Sequence, residues 1–394
     1  MQRFVYADNA ATTAVLPEVI EAMTPCFAEN WGNPSSLYGK GRDAARALIA
    51  AREKIASLLG ADPKEIYFTS CGSEADNWAI KGAAHANAAR GKHIITTKIE
   101  HPAVLQTCKA LEKEGFEVSY LDVDSDGLLT AADIEAAIRP DTTLVAVMHA
   151  NNEIGSILPI KEITEVCRAH KVLCFTDAVQ AVGSIPVNVR ELGVDMLSAS
   201  GHKLGAPKGI GLLYIKKGVR IPALIDGGGQ EKGKRGGTEN LPYIVGFARA
   251  LELAVERLPD MKRIAALRDR LAEEIVKIPR TRINGGMEHR LPGNLNVSFE
   301  CIEGESLLLL LDRAGIAVST GSACSSNSLE PSHVLLAIGV PVEIAHGSMR
   351  ISLSHANTEE DADYILEQLP AIVSRLRDMS PLWSAAPTGD IGDR

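Results

Sequence analysis

Along the middle of the chain, short apolar runs rich in β-branched residues alternate with stretches whose apolar positions recur every three or four residues. The runs at 65–70 (EIYFTS), 93–97 (HIITT), 117–123, 142–149, 172–178, 194–200 and 209–215 read as strands. Helices are predicted near 74–88, 102–114, 130–138 and 160–170, between those strands. This alternation predicts an α/β fold with a mostly parallel sheet covered by helices on both faces. Ligands of such sheets bind beyond the carboxyl ends of the strands, so the residues just after each run are where chemistry is expected. From about 240 the pattern changes. Helices near 239–257 and 260–276, apolar runs near 294–299 and 316–318, and a last helix near 358–376 predict a second, smaller α+β unit. We assign 15–256 to a large domain, 1–14 with 257–380 to the small one, and 381–394 to a disordered tail.

Length and composition narrow the function. The chain has 394 residues, enough for two domains with a core that needs no disulfide or structural metal. Asp plus Glu total 50 against 41 Lys plus Arg, and aromatics are 4%. A net charge of −9 and few stacking platforms argue against nucleic acid as the partner. The longest aliphatic run, Leu307 to Leu311, falls far short of the ~18 residues that span a bilayer, and the N-terminus has no apolar run of signal length. The seven cysteines are odd in number and include no C-x-x-C pair, which disfavours a disulfide framework or a thiolate zinc site. A cytoplasmic protein is expected, with no membrane partner and with at least one cysteine present for its chemistry.

Three motifs look chemical but lack a required part. DVDSDGLLTAAD (122–133) has calcium-loop spacing, yet Asp133 replaces the bidentate Glu, and Thr130 with Asp133 reads as a capping box. Gly228 to Lys234 has P-loop spacing, but Arg235 stands where Ser or Thr would hold magnesium. Ser200 to Lys203 fits S-x-x-K without the companion motifs of serine acyl-enzymes.

Three other positions reinforce one another. Ser70-Cys71-Gly72-Ser73-Glu74 follows the first strand and opens a helix, with Ser73 and Asp76 at capping-box spacing. A helix N-terminus with a glycine that permits close approach is a phosphate site, or else a plain cap. Asp177 ends the VLCFT strand, facing the ligand crevice or capping the following turn, with Gln180 three residues on. Lys203 lies just past another strand end in SASGHKLGAPKGIG, a setting suited to Schiff-base chemistry, although an exposed lysine is the common alternative. A phosphate cup, a carboxylate and a lysine in this order are what pyridoxal 5'-phosphate (PLP) requires.

The chain resembles the NifS/IscS cysteine desulfurases, PLP enzymes of fold type I. The likeness rests on YADNAATT (6–13), GNPSSLYG (32–39), FTSCGSEADN (68–77), EHPAV (100–104), ANNEIG (150–155), TDAVQAVG (176–183), SGHKLGAPKGIG (200–211), RGGTEN (235–240), STGSACSS (319–326), LEPSHVL (329–335) and AHGSMRISL (345–353), in that order. The EHPAV, GHKLGAPKG and SPLWS forms lean towards the NifS type, which is associated with nitrogenase clusters.

The resemblance implies a role for each matching residue. Lys203 would hold PLP and later take the substrate Cα proton. Asp177 would pair with the ring nitrogen, Gln180 would contact the ring hydroxyl, and His101 would stack on the ring and relay a proton. Gly72, Ser73, Ser200 and His202 would hold the phosphate. Thr238 would reach the phosphate of a neighbouring subunit in a homodimer. Asn152 and Arg350 would bind the carboxylate of L-cysteine, a planar guanidinium being suited to it. Cys324 would accept the sulfur as a persulfide, releasing L-alanine, and a NifU-like iron–sulfur scaffold would receive it. Gly205 stands where a bulkier residue is frequent, which implies a lost contact.

The sequence itself also favours Cys324. It lies in 319–328, a stretch with no core-forming side chain, whereas Cys26, Cys108, Cys167, Cys174 and Cys301 sit among apolar or helical neighbours and Cys71 is a bystander beside the phosphate loop. A thiol of pKa ~8.5 needs activation at neutral pH, from His101 or from substrate groups. A PLP lyase acting on selenocysteine or a sulfinate is the nearest alternative. An aminotransferase and a non-catalytic scaffold are more distant ones.

Overall fold

The computed structural model describes residues 3–320 and 331–385. Its strands, in chain order, are β1 (Val5–Tyr6), β2 (Ile66–Thr69), β3 (His93–Thr97), β4 (Glu117–Leu121), β5 (Thr142–Ala146), β6 (Leu173–Asp177), β7 (Met196–Ser200), β8 (Gly211–Ile215), β9 (Thr281–Ile283), β10 (Asn294–Phe299), β11 (Ile316–Ala317) and β12 (Ser348–Ser352). A seven-stranded sheet runs β2-β8-β7-β6-β5-β3-β4. β7, β6, β5, β3 and β4 are mutually parallel, while β8 is antiparallel to both of its neighbours.

The continuous apolar reading of these strands has a direct cause. Ile66 and Phe68 enter one core cluster and Tyr67 the other, and Leu212 with Tyr214 splits from Leu213 with Ile215 in the same way. Successive side chains point to opposite faces and both faces are covered, so polar alternation disappears. The helix Gly72–Asn87 packs on one face through Ala75, Trp78, Ala79 and Ala83.

The sequence reading missed the helix Gly39–Leu59, whose buried positions Ala44, Leu48, Ala51, Ile55 and Leu59 follow helical spacing. Its face is rich in alanine, which weakens the hydrophobic signal, but Gly60 at φ 71° is a left-handed C-terminal stop of the usual kind. It also missed Gly304–Arg313, where Leu307 and Leu311 face the core and Leu309 is exposed.

A separate apolar cluster joins Val5 and Ala7 to residues between Ile264 and Val373. It is built on β12-β10-β9 and the parallel pair β1-β11. β1 thus ties the N-terminal segment to this second body, through register pairs such as Val5 with Ile316. Residues 381–385, expected to begin a tail, instead form the helical turn Pro381–Ala385. Trp383 covers the guanidinium of Arg377 at 4.4 Å and that of Arg280 at 5.5 Å, and such cation–π contacts hold a short segment in place. Residues 386–394 lie outside the described residues.

Candidate active site

The site lies where the parallel strands end. β6 delivers Asp177, which is buried, and its Oδ1 accepts the Val179 N–H at 2.9 Å. The carboxylate therefore caps the following turn, one of the two alternatives raised by the sequence, at the carboxyl end of a parallel strand. Burial raises its pKa, and His101, the Val179 N–H and Lys203 oppose that shift. β7 runs into Ser200 and a short turn, Gly201–Lys203. The Lys203 Nζ donates to the carbonyls of Ala10 at 2.6 Å and Ala11 at 2.8 Å, and Gln180 Nε2 donates to the same Ala10 carbonyl at 3.0 Å. The segment 9–14 is thus part of the site, which the sequence reading did not see although it singled out YADNAATT.

The N-terminus of Gly72–Asn87 forms the candidate phosphate cup. The expected Ser73–Asp76 capping box is not what caps it. Cys71 is the N-cap, with its Sγ accepting the Glu74 N–H at 3.4 Å. Glu74 in turn accepts from Ser70 N at 3.0 Å and pairs with Arg235 at 2.9 Å, so Arg235 is committed to an internal carboxylate. Ser73 is exposed and Asp76 points inward, bonded to Ser198 Oγ at 2.6 Å. The fit to PLP can be tested on two features. The Ser200 Oγ is buried and has no hydrogen-bond partner, and a Cβ at Gly72 would stand 3.5 Å from Ser200 Cβ and 2.7 Å from Val179 Cγ2. An unsatisfied buried hydroxyl beside a glycine-headed helix terminus is a place for a phosphate oxygen.

His101 caps the next helix, its Nδ1 accepting the Ala103 N–H at 3.1 Å, so the ring proton of the neutral form is on Nε2. Burial lowers its pKa, against the pull of Asp177. A carboxylate oxygen of Asp76, one of Asp177 and a ring nitrogen of His101 all lie within 4.8 Å of one another. His202 contacts Thr12 Oγ1 at 3.2 Å, and burial, with Lys203 and Lys208, pushes it down to about 4. It is therefore neutral at physiological pH. Thr238 is exposed and is not brought to this site.

Arg350 comes from β12 in the second body and is buried. Its Nη2 pairs with Asp8 at 2.8 Å, its Nη1 donates to the Asn152 carbonyl at 3.0 Å, and its Nε has no partner. Asn152 thus meets Arg350 through its backbone. Beneath it, the buried Glu153 accepts from Ser332 Oγ, and burial pushes Glu153 up to about 7 despite Arg350. Ser332 and Ser319 flank the segment 321–330, and Ser319 N donates to the Arg350 carbonyl at 3.1 Å. Cys324 itself lies outside the described residues.

The other expectations divide. Cys26, Cys108, Cys167 and Cys174 are buried. Cys301 is half-buried in a turn at φ 64°, with the apolar Phe299 and Ile302 as its buried neighbours. Thr130 and Asp133 do form a capping box, closing the strand–turn–helix link of 122–133. At Gly205 no contact is missing: φ is 87° and a Cβ would stand 2.6 Å from Leu16 Cγ, so Leu16 fills the space. A cavity of about 710 Å³ between the two bodies reaches Gln180 and Lys203 past Tyr6, Leu16 and Asn294. No helix among the described residues is long and apolar enough to cross a membrane.

A seven-stranded, mostly parallel sheet with a strand-end lysine, a buried carboxylate and a helix-headed phosphate cup defines a PLP enzyme of fold type I. Residues 5–365 match the aminotransferase class-V family. The cysteine desulfurase IscS of Methanosarcina thermophila is 56% identical over 379 residues, covering 96% of this chain and 94% of that protein. Among solved structures, a NifS-like protein has a TM-score of 0.90 at 44% identity, covering 95% of this chain and 100% of its own. SspA in complex with cysteine has a TM-score of 0.79 at 39% identity, covering 90% of this chain and 100% of its own. The chain belongs to the class-V aminotransferases and, within them, to the PLP-dependent NifS/IscS cysteine desulfurases.

Proposed function

We propose that this protein takes sulfur from L-cysteine onto Cys324 as a persulfide, releases L-alanine, and passes the sulfur to an iron–sulfur scaffold of the NifU-like kind. The observation that carries the reading is the convergence of Lys203, Asp177 and the Gly72–Ser200 cup at one strand edge, with Arg350 arriving from the second body. When bound, PLP supplies an electron sink for the Cα carbanion. Gly72, Ser73, Ser200 and His202 are the residues that would hold its phosphate. Asp177 would pair with its ring nitrogen, Gln180 would reach its hydroxyl, and His101 would stack on its ring.

Each residue then has a physical task. Lys203 Nζ, aligned by the Ala10 and Ala11 carbonyls, is the amine that would hold the cofactor and, once released, the base placed for the Cα proton. Arg350 and Asn152 hold the substrate carboxylate, with the unpartnered Arg350 Nε available as a donor. With its Nδ1 held by the Ala103 N–H, His101 keeps its ring proton on Nε2, the atom that can donate into the pocket, and burial disfavours a second proton on the ring. The small body supplies Arg350 and the segment with Cys324, and the large body supplies the cofactor residues, in keeping with a division near 256.

A homodimer accords with the exposed Thr238 and with Phe27, Trp31, Leu37 and Tyr38, four large side chains each more than half exposed on the large body. The nitrogenase-linked role rests on the NifS-like strings, whereas the IscS name of the relative favours general cluster assembly. Restored growth of a nitrogenase-cluster mutant, but not of a general-assembly mutant, would select the first. A cytoplasmic site accords with a chemistry that needs a free thiol.

The test is direct. The purified full chain should be yellow, and Lys203→Ala should lose that absorbance. Cys324→Ala should abolish persulfide formation from L-cysteine while leaving the absorbance intact. Full persulfide transfer by Cys324→Ala, or a preference for L-selenocysteine that needs no thiol, would overturn the reading.

A further inference from the structure

Asp76 has no task in the chemistry above, yet it is one of the most deeply buried acids in the molecule, at 1% exposure. It sits on the apolar face of Gly72–Asn87, one turn below the phosphate cup, among Ala75, Ala79 and Ala83. Its Oδ1 contacts Ser198 Oγ at 2.6 Å. Ser198 is the β7 residue in register with Asp177, and its hydroxyl also acts on the Asp177 carboxylate, favouring the charged form. A carboxylate oxygen of Asp76 lies within 4.8 Å of one from Asp177.

Two buried carboxylates this close strongly disfavour each other's ionisation, so one of them is favoured as the neutral acid. The groups facing Asp76 are Asp177 on β6, Glu100 in the turn after β3 and Cys71 at the head of its own helix, none of them a cation. His101 is the remaining neighbour, and burial lowers its pKa. Ser198 Oγ stabilises the charged form of either acid, and the contacts beyond it fall on Asp177, which has the Val179 N–H, His101 and Lys203.

We infer that Asp76 is a positioning residue that holds the one proton of this carboxylate pair and, through Ser198, keeps Asp177 as the ionised member at the crevice. With Asp76 neutral, its O–H donates to Ser198 Oγ, and the Ser198 hydroxyl hydrogen turns to Asp177. The chain of donors is then one-directional, from helix to strand to crevice. Burial and the Asp177 charge both push the Asp76 carboxyl well above the usual carboxylate range, in agreement with this arrangement. The inference rests on the assignment of Asp177 to the ring nitrogen, since that is the charge it protects.

Infrared difference spectroscopy on the holoenzyme tests it. Subtracting Asp76→Asn from the wild type at pH 7.5 (about a unit above neutral histidine titration) should leave the C=O stretch of one protonated carboxyl. Asp76→Ala and Ser198→Ala should shift the pH dependence of the cofactor absorbance, and Asp76→Asn, neutral and of the same shape, should restore it. A difference spectrum without the protonated carboxyl overturns the inference, as does an Asp76→Asn profile that stays as displaced as that of Asp76→Ala. Asp177→Asn separates the two assignments. An unchanged cofactor spectrum in that variant removes the ring-nitrogen reading, whereas the infrared band of the wild type reports whether Asp76 is protonated, whatever Asp177 pairs with.

Discussion

Gly72→Ala probes how tightly the phosphate cup is built. The added Cβ would stand 2.7 Å from Val179 Cγ2. Carbon atoms pack at about 3.5–4.0 Å, so one of the two must move by roughly 1 Å. Overpacking of this kind costs about 1–3 kcal/mol, and the better helix propensity of alanine returns at most about 1 kcal/mol. A net loss of about 1 kcal/mol is expected, visible as a lower denaturant midpoint with an unchanged slope. The displaced residue also matters for binding. The Val179 N–H holds Asp177 Oδ1 at 2.9 Å, so moving Val179 disturbs the carboxylate as well as the cup. PLP titration of the stripped full chain should show about tenfold weaker binding, equivalent to about 1.4 kcal/mol. The double variant Gly72→Ala/Val179→Ala removes the offending methyl, and a double-mutant cycle should recover about 1 kcal/mol of coupling. Equal losses from Gly72→Ala with and without Val179 would refute the steric argument.

Three further outcomes follow from the same geometry. Neutral Glu153 stabilises the fold fully below about 4.5, and that contribution is lost as pH rises through about 7. At 1.36 kcal/mol per unit this amounts to about 3 kcal/mol. The stability of the wild type minus that of Glu153→Gln should therefore fall between pH 5 and 7 and then level off, and a flat difference would show Glu153 ionised throughout. Arg350→Lys cannot span Asp8 and the Asn152 carbonyl together, so it should raise KM for L-cysteine at least tenfold and lower stability by about 2–4 kcal/mol, checked by steady-state kinetics and chemical unfolding. Gly205→Ala meets both Leu16 and a φ of 87°, and should lose about 1–3 kcal/mol in thermal unfolding.

The strands and their chemistry-bearing ends were legible because each is local. An apolar run of five residues bounded by small polar ones reports a strand covered on both faces, and Asp177, Ser200 and Lys203 lie at or just past such ends. Cys324 stood out for a similar reason, its neighbours having nothing to pack. The helix Gly39–Leu59 was harder, since alanine marks a buried face only weakly. Asp76 was legible in principle, as a lone acid on the apolar side of a predicted helix, but the capping-box spacing drew it to the wrong partner.

What the sequence determined by itself was the α/β order, the strand-end residues and, through their joint order, the family. What only the tertiary structure decided was partnership. Arg350 meets Asp8 across 342 residues, Lys203 meets Ala10 across 193, and Ser198 meets Asp76 across 122. Periodicity and spacing describe a residue's own element. The distance between two elements is set by how their apolar faces pack, and here that packing brings an N-terminal segment, a buried acid and a distant arginine around one crevice.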